Sequence, residues 1–374
     1  MKRFAFLLCI LLVVLLLVGC WDYRDMDDLS IVTGIAVDKD PTSGLYNLLI
    51  EIVDINSVEK ETGGSSSLFI EAEGRTLREA LSATRKRLYG QLFFSNMQVL
   101  VISRQLAEEG GIAPVIDFFL NDIDMREALD VLISDESSAA ALLQGETLDY
   151  NLMSFQLERI IQSYQESASY SVSSSLFQAF ESLQAPGRCL LLPIFELRDH
   201  QDGKIAEAKG LAYFEGEKLA GVLEQDEVYA YLMITGSPSD LLLIMPAAET
   251  ETGYLAFHLL RCGGGQSVRY EDGKLTLAVS LQIEASPEII SDGDEEMNQL
   301  ALRLQDHTTR SLEQLITRMQ TERLDIFGFA STLYKSDSPL WKELEPRWEQ
   351  LFAEAAVEVS VHCTLRFSGI IREE

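Results

Sequence analysis

Two basic residues, Lys2 and Arg3, an unbroken apolar run of 15 residues from Phe4 to Val18, and then Gly19 and Cys20 open the chain and decide on which side of a membrane the rest must fold. Positive charge, an apolar core and a small residue before a cysteine together read as a secretory signal peptide of the lipoprotein kind. Leu17, Val18 and Gly19 form the cleavage box with Cys20. A signal peptidase needs small side chains beside the scissile bond, and the thiol that follows accepts a diacylglycerol. Cys20 is therefore expected to be the first residue of the mature chain and the point of lipid attachment. The alternative is an uncleaved membrane helix, but a bilayer core needs about 20 apolar residues, and Asp22 and Arg24 close the run early. The nearest later apolar run, Leu241 to Ala248, is short and contains Pro246.

Without residues 1–19 the chain keeps 28 Lys and Arg against 59 Asp and Glu, a formal charge of −31. Nucleic-acid binding depends on Lys and Arg neutralising phosphates, so a nucleic-acid partner is excluded. Anionic lipid headgroups repel such a body as well, which leaves the lipid itself to hold it on a membrane. One acyl chain anchors marginally and two anchor stably; a diacylglyceryl cysteine has two. The 355 residues from Cys20 onward exceed a comfortable single core and point to two or three domains. Cys189, Cys262 and Cys363 are too few for a disulfide framework and read mostly as buried thiols, with one bridge left open.

Leu29 to Val37 and Leu45 to Ile55, joined by turn-forming residues 38–44, predict an antiparallel hairpin. Glu59 to Ser67 reads as a polar loop. Thr76 and Glu79 form a capping box ahead of a helix carrying Leu77, Ala80, Leu81 and Leu88 on one face. Arg75, Arg78, Arg85, Lys86 and Arg87 make a basic island there, either a solvated face or a contact for lipid headgroups or an acidic partner. Strand, helix and strand over Met97 to Ile102, Gln105 to Leu120 and Ala128 to Ile133 imply parallel strands joined by a crossover. A helix is expected over Tyr150 to Tyr164, and the serine-rich Ser167 to Ser175 is a linker or an exposed strand. Cys189 to Leu197, Ile205 to Phe214 and Lys218 to Leu223 predict a meander forming a smaller middle unit.

Asp272 and Gly273 separate two further strands, the second alternating through Leu275, Leu277, Val279, Leu281 and Ile283. Two helices follow, about Glu295 to Arg323 and Leu340 to Ala355, with Trp341, Leu344, Trp348 and Phe352 on one face. The last strand, Val357 to Phe367, turns its odd positions inward. The fold class is thus α+β: a mixed first sheet and an antiparallel C-terminal sheet packed with long helices. The expected division is 1–19 signal peptide, 20–150, 151–236 and 237–374.

Catalytic signatures do not accompany this pattern. His200, His258, His307 and His362 are scattered, and no His-Glu-x-x-His, paired Cys-x-x-Cys or Gly-x-Ser-x-Gly sequence occurs. His258 and Cys262 have a spacing usable by a metal only on a helix, whereas the segment reads as a strand. Gly263 to Gly265 reads as a flexible loop, since no Lys-Ser or Lys-Thr follows. Neither a catalytic residue nor a cofactor or metal is expected.

Gly19, Cys20, Trp21 and Asp22, the segment IVTGIAVD (Ile31 to Asp38), Gly74 to Thr76, Met97 to Ser103, VIDFFLND (Val115 to Asp122), GLAYFEGEKLAG (Gly210 to Gly221), Asp325 to Gly328, Leu340, Trp341, Trp348 and Ser368 to Ile371 occur in this order. In these residues the chain resembles the C subunits of spore germinant receptors, the Ger(x)C lipoprotein family. It departs at Asp25, Asp27 and Asp28, where a basic pair is more usual. The resemblance implies a three-domain mixed protein tethered by Cys20 to the outer face of the spore inner membrane. It also implies two partners, a membrane-embedded A subunit and a transporter-like B subunit, in a receptor for nutrients such as amino acids or sugars. A solute-binding lipoprotein of a transporter is the alternative, and would show two similar α/β lobes.

Overall fold

The computed structural model describes residues 29–54, 66–88, 91–121, 125, 128–148, 152–167, 174–200, 203–236, 238–248, 251–288 and 294–366. Strands β1 (Leu29–Lys39) and β2 (Tyr46–Asp54) form the expected hairpin, and β3 (Ser66–Gly74) adds a third antiparallel strand. Asp40 organises the first turn by accepting from the backbone N–H of Thr42 and Ser43 at 2.8 and 2.6 Å. The loop read as far as Ser67 becomes strand at Ser66, and its earlier part lies outside the described residues. In β3 Ala72 is the one apolar side chain buried among the described residues, while Leu68 is half exposed, so the strand has little hydrophobic signature of its own.

Helix α1 (Leu77–Thr84) starts on the Thr76 hydroxyl, which accepts from the Glu79 N–H, while the Glu79 carboxylate reaches past the cap to the Arg75 N–H. It ends at Thr84, short of Leu88. After β4 (Gln91–Phe93), strand β5 (Val99–Ser103) lies parallel to β1; α2 (Arg104–Glu109) and α3 (Ala113–Leu120) then lead to β6 (Asp130–Ser134), parallel to β5. Three helices follow: α4 (Ala139–Leu143), α5 (Met153–Ser167) and α6 (Leu176–Gln184). The serine-rich stretch ends at the start of α6, where Ser175 accepts from the Gln178 N–H; residues 168–173 are outside the described ones.

The expected meander exists as β7 (Leu191–His200), β8 (Gly203–Glu215) and β9 (Lys218–Leu223). It does not stand apart as a middle unit. Strand β7 joins β6 in parallel at Ile133–Ile194 and Ser134–Phe195, giving a sheet ordered β3-β2-β1-β5-β6-β7-β8-β9, with β4 on β1. Three strand-to-helix crossovers make the centre parallel and the hairpins make the margins antiparallel. The central strands are buried on both faces: Leu100, Ile102, Val131 and Ile133 face α2, α3 and α6, while Val99, Val101 and Leu132 face α4 and α5.

Two strand carboxylates, Glu51 buried and Asp38 half-buried, fix where the second group of helices begins. Glu51 accepts from the N–H of Met153 and Ser154 at 2.9 and 3.1 Å and from the Thr33 hydroxyl at 3.0 Å; Asp38 accepts from the N–H of Ala139 and Ala140 at 2.8 and 3.2 Å. Burial raises both carboxyls, and these donors work against it. Helix N-termini carry unpaired N–H groups and partial positive charge, which suits a carboxylate there.

Helix α7 (Gln225–Thr235) leads to a second sheet of β10 (Leu241–Ala248), β11 (Glu251–Glu271), β12 (Lys274–Pro287) and β13 (Ala356–Leu365). Leu275, Leu277, Val279, Leu281 and Ile283 of β12 are buried as the alternation predicts. Residues Gly263 to Gly265 are strand, not loop, paired with Gln282, Leu281 and Ser280. Gly264 takes φ 152°, and a Cβ there would lie 2.0 Å from the Ser280 carbonyl oxygen, so glycine is needed for strand contact.

The C-terminal sheet is not wholly antiparallel. β12 and β13 pair in parallel from Thr276–Ala356 to Ala285–Leu365. Between them run α8 (Asp294–Glu322), α9 (Phe329–Ser336), α10 (Ser338–Leu344), a 3-10 turn at Glu345–Arg347 and α11 (Trp348–Glu354), a crossover that returns the chain to its starting end. Trp341, Leu344, Trp348 and Phe352 are buried on one side as expected, although α10 and α11 are separate helices. The opposite face of β10 and β11 leaves Ile244 55 % and Tyr254 75 % exposed.

Replacing Glu51 by Leu should cost about 2–3 kcal/mol in urea unfolding, because two buried helix N–H groups lose their acceptor. Glu51→Gln, which keeps one acceptor oxygen, should lose less; equal losses in the two variants would contradict the capping role.

Candidate functional site

Leu17, Val18, Gly19 and Cys20 lie outside the described residues. His258 and Cys262 do not come together: a register shift between Leu259 and Arg261 reverses the alternation, leaving His258 exposed beside Asp240 at 2.5 Å and Cys262 buried. His362 is exposed and its neighbour Cys363 buried, on opposite faces of β13. Among the described residues no group of three His, Cys, Asp or Glu is placed to hold a metal, and no helix is long and apolar enough to cross a membrane. In the basic island, Arg75 pairs with Glu79 at 3.0 Å, Arg78 lies over the Phe118 ring and Arg87 donates to the Glu71 carbonyl. Intramolecular contacts thus occupy much of it.

The three described cysteines are free. Burial pushes the Cys189 and Cys363 thiols up to about 12 and Cys262 to about 11. A thiol must ionise to act as a nucleophile, and burial holds these three in the protonated form.

Polar side chains converge where the first sheet meets the second core. Arg318 of α8 grips both oxygens of Glu227 at 2.5 and 2.6 Å, pairs with Glu322 at 3.0 Å and donates to the Tyr213 hydroxyl at 2.9 Å; that hydroxyl donates to Glu322 at 2.6 Å. One guanidinium therefore ties α8 to α7 and to β8, with Nη1 on both Glu227 oxygens, Nε on Glu322 and Nη2 on the Tyr213 hydroxyl. Burial alone would depress Arg318, but the two carboxylates overcome it and hold the group charged. Burial first and Glu322 second raise the Tyr213 hydroxyl, keeping it a donor. Nearby, Asp325 accepts from the N–H of Gly328, Phe329 and Ala330 at 3.0, 3.2 and 2.7 Å, starting α9. Gly187, φ 64°, comes so close to that turn that a Cβ would meet Ala330 at 2.5 Å. Burial raises the Asp325 carboxyl to about 6.

Beside this junction a cleft of about 320 Å³ opens between β7, β8, the end of α5 and the start of α7. Lys209 sits at a bulge, since Ile194 pairs with Gly210 and Phe195 with Ala208. The extra residue turns Lys209 towards Asp135 at 2.5 Å and Glu196 at 3.5 Å. Arg104 reaches Asp135 at 2.7 Å, and Arg198 reaches Glu196 at 2.6 Å. Burial would raise the Asp135 carboxyl, yet Lys209 and Arg104 hold it below its usual range.

Sequence reading missed Arg318, Glu227, Tyr213 and Lys209. The four-residue spacing of Arg318 and Glu322 on a helix, and the Glu224 and Glu227 capping spacing, were local signals; the contact with Tyr213, 105 residues from Arg318, had none.

Residues 22–197 match the model of the spore germination protein N-terminal domain, and residues 209–369 match that described as spore germination B3/GerAC like, C-terminal. The chain belongs to the spore germinant receptor C-subunit family. This C-subunit chain is 20 % identical to spore germination protein KC of Bacillus subtilis (strain 168), over 96 % of its own length and 94 % of the relative's. It is 19 % identical to spore germination protein B3 of the same organism, with 91 % of each chain covered. Its fold is that of the GerBC protein crystal structure, with a TM-score of 0.60 at 14 % identity, covering 90 % of this chain and 97 % of that one. The two matched regions of the C subunit meet inside the β7–β8 hairpin, where the cleft and the Arg318 junction lie.

Because Asp325 is raised from 3.8 to about 6 on folding, its contribution to stability is fully present below about pH 4 and is lost as pH rises through 6. Between those values wild type should lose up to about 3 kcal/mol relative to Asp325→Asn. Urea unfolding of both at pH 4, 5 and 6.5 measures this; parallel pH profiles would contradict it.

Proposed function

We propose that this protein is the lipid-anchored subunit of a nutrient-germinant receptor, held at the outer face of the spore inner membrane by Cys20 and acting by binding its partner subunits, not by catalysis. The observation carrying this reading is the family match, which runs in order from residue 22 to residue 369 directly after the Gly19–Cys20 cleavage box. Holding the described cysteines protonated agrees with a binding role. A solute-binding lipoprotein is disfavoured by the architecture: among the described residues a nine-stranded mixed sheet and a four-stranded sheet share no repeated lobe. The partners are a membrane-embedded A subunit and a transporter-like B subunit. A tether confines the body near them and raises its effective concentration.

Mass spectrometry of the mature N-terminus should find diacylglycerol on Cys20, and Cys20→Ala should leave an unlipidated precursor. Deleting the coding region in the native spore-former should abolish nutrient germination through this receptor while an agent acting downstream still works. Normal nutrient responses in that deletion, with no other receptor answering the same nutrient, would defeat the assembly role. Full rescue by an unlipidated form at equal abundance would show that the anchor is dispensable.

A further inference from the structure

The cleft beside the β7–β8 bulge combines an apolar floor with an acidic mouth. Ile161, Phe195, Val228 and Tyr229 supply the floor; the first three are 5 %, 1 % and 3 % exposed and Tyr229 is half-buried. Its volume, about 320 Å³, is at the small end of the range of ligand pockets, roughly 300–1,000 Å³. Among the described residues Glu196, Glu207 and Glu224 line it together with two cations, Arg198 and Lys209.

Both cations are already engaged. Lys209 lies between Asp135 and Glu196, and Arg198 lies between Glu196 at 2.6 Å and Glu207 at 3.9 Å. Counting Asp135 behind Lys209, and Arg104 that pairs with Asp135 at 2.7 Å, four carboxylates face three cations. Glu207 is 57 % exposed and meets Arg198 only at that long distance, while Glu224 caps α7 at the mouth and forms no ion pair among the described residues. An anion entering would have to displace a carboxylate from Lys209 or Arg198. A cation would find Glu207 and Glu224 with acceptor capacity and an apolar surface behind them.

We propose that this cleft binds a small amphipathic cation, a protonated amine on an apolar body, with the body on Phe195, Val228 and Tyr229 and the ammonium at Glu207 and Glu224. The bulge at Lys209 serves the site by turning its ammonium to Asp135 and Glu196, so that the side chain completes one wall and leaves the mouth acidic. The site stands independently of the assembly role, since a soluble binding measurement and the deletion phenotype can fail separately.

The test uses the full chain in detergent micelles and three probes sharing one aromatic body: 2-phenylethylamine, phenylacetate and 2-phenylethanol. Calorimetry and ligand-observed NMR should show saturable binding of the amine, at least about tenfold tighter than either other probe, and weaker at raised salt. Glu207→Gln and Glu224→Gln, both at exposed positions, should each weaken the amine about three- to tenfold, whereas Glu109→Gln, at an exposed position outside the cleft, should not. Absence of saturable amine binding at millimolar concentration overturns the proposal. So does tighter binding of phenylacetate, equal binding of the alcohol, or indifference of the amine to both Glu variants.

Discussion

Strand β8 has two insides, and the molecule depends on that. Along one strand the side chains alternate: Leu211 and Tyr213 enter the core shared with β10–β13 and α8, while Ala212 and Phe214 enter the core of the first sheet. Its neighbours repeat the division, with Leu191 and Leu223 on one side and Leu192 and Leu219 on the other. A one-residue slip of the β7–β8 register would send each of these to the wrong core. The two halves are therefore joined through period-2 geometry and burial, not through a linker. The Arg318 contacts to Glu227, Glu322 and Tyr213 add direction to a junction whose free energy comes mainly from removing those apolar side chains from water.

Acidic composition serves this architecture from within. A chain of formal charge −29 places Glu51, Asp38 and Asp325 where helix N–H groups need acceptors. Each carboxylate gains the hydrogen bonds that make its partial or full burial tolerable and fixes the first turn of a helix. The price is that such groups resist ionisation, as the raised carboxyl of Asp325 shows. Where carboxylates meet cations, at Asp135 and at Glu227, the same chemistry ties elements distant in sequence.

Features written locally were legible beforehand. Asp272 and Gly273 announced the β11–β12 hairpin, the alternation of β12 gave its buried face, and the spacing of Trp341, Leu344, Trp348 and Phe352 gave a shared buried side. Strand direction was not legible for β13, because alternation reports faces and says nothing of which way a strand runs; the helical crossover decides that. Helix α7 escaped notice because Val228, Ala230, Leu232, Met233 and Ile234 are buried nearly all round it, which erases the 3.6-residue period. The triple glycine looked like a loop because its purpose, contact with the Ser280 backbone, is visible only across strands. The cleft draws Ile161, Phe195, Lys209 and Glu224 from four elements, so nothing in the sequence groups them. The family resemblance, by contrast, was written along the chain in order and stands.

Cys262 and Cys363 both sit in register with Ile283, one on each side of it. Two strand spacings, about 9–10 Å, separate them, beyond the roughly 7 Å that a disulfide can bridge between Cα atoms. With Cys189 donating its thiol to the Phe214 carbonyl at 3.0 Å, the described fold has no cross-link to be reduced and no thiolate to be oxidised. As far as these three cysteines go, the described fold neither gains nor loses a covalent bond when its surroundings change from oxidising to reducing.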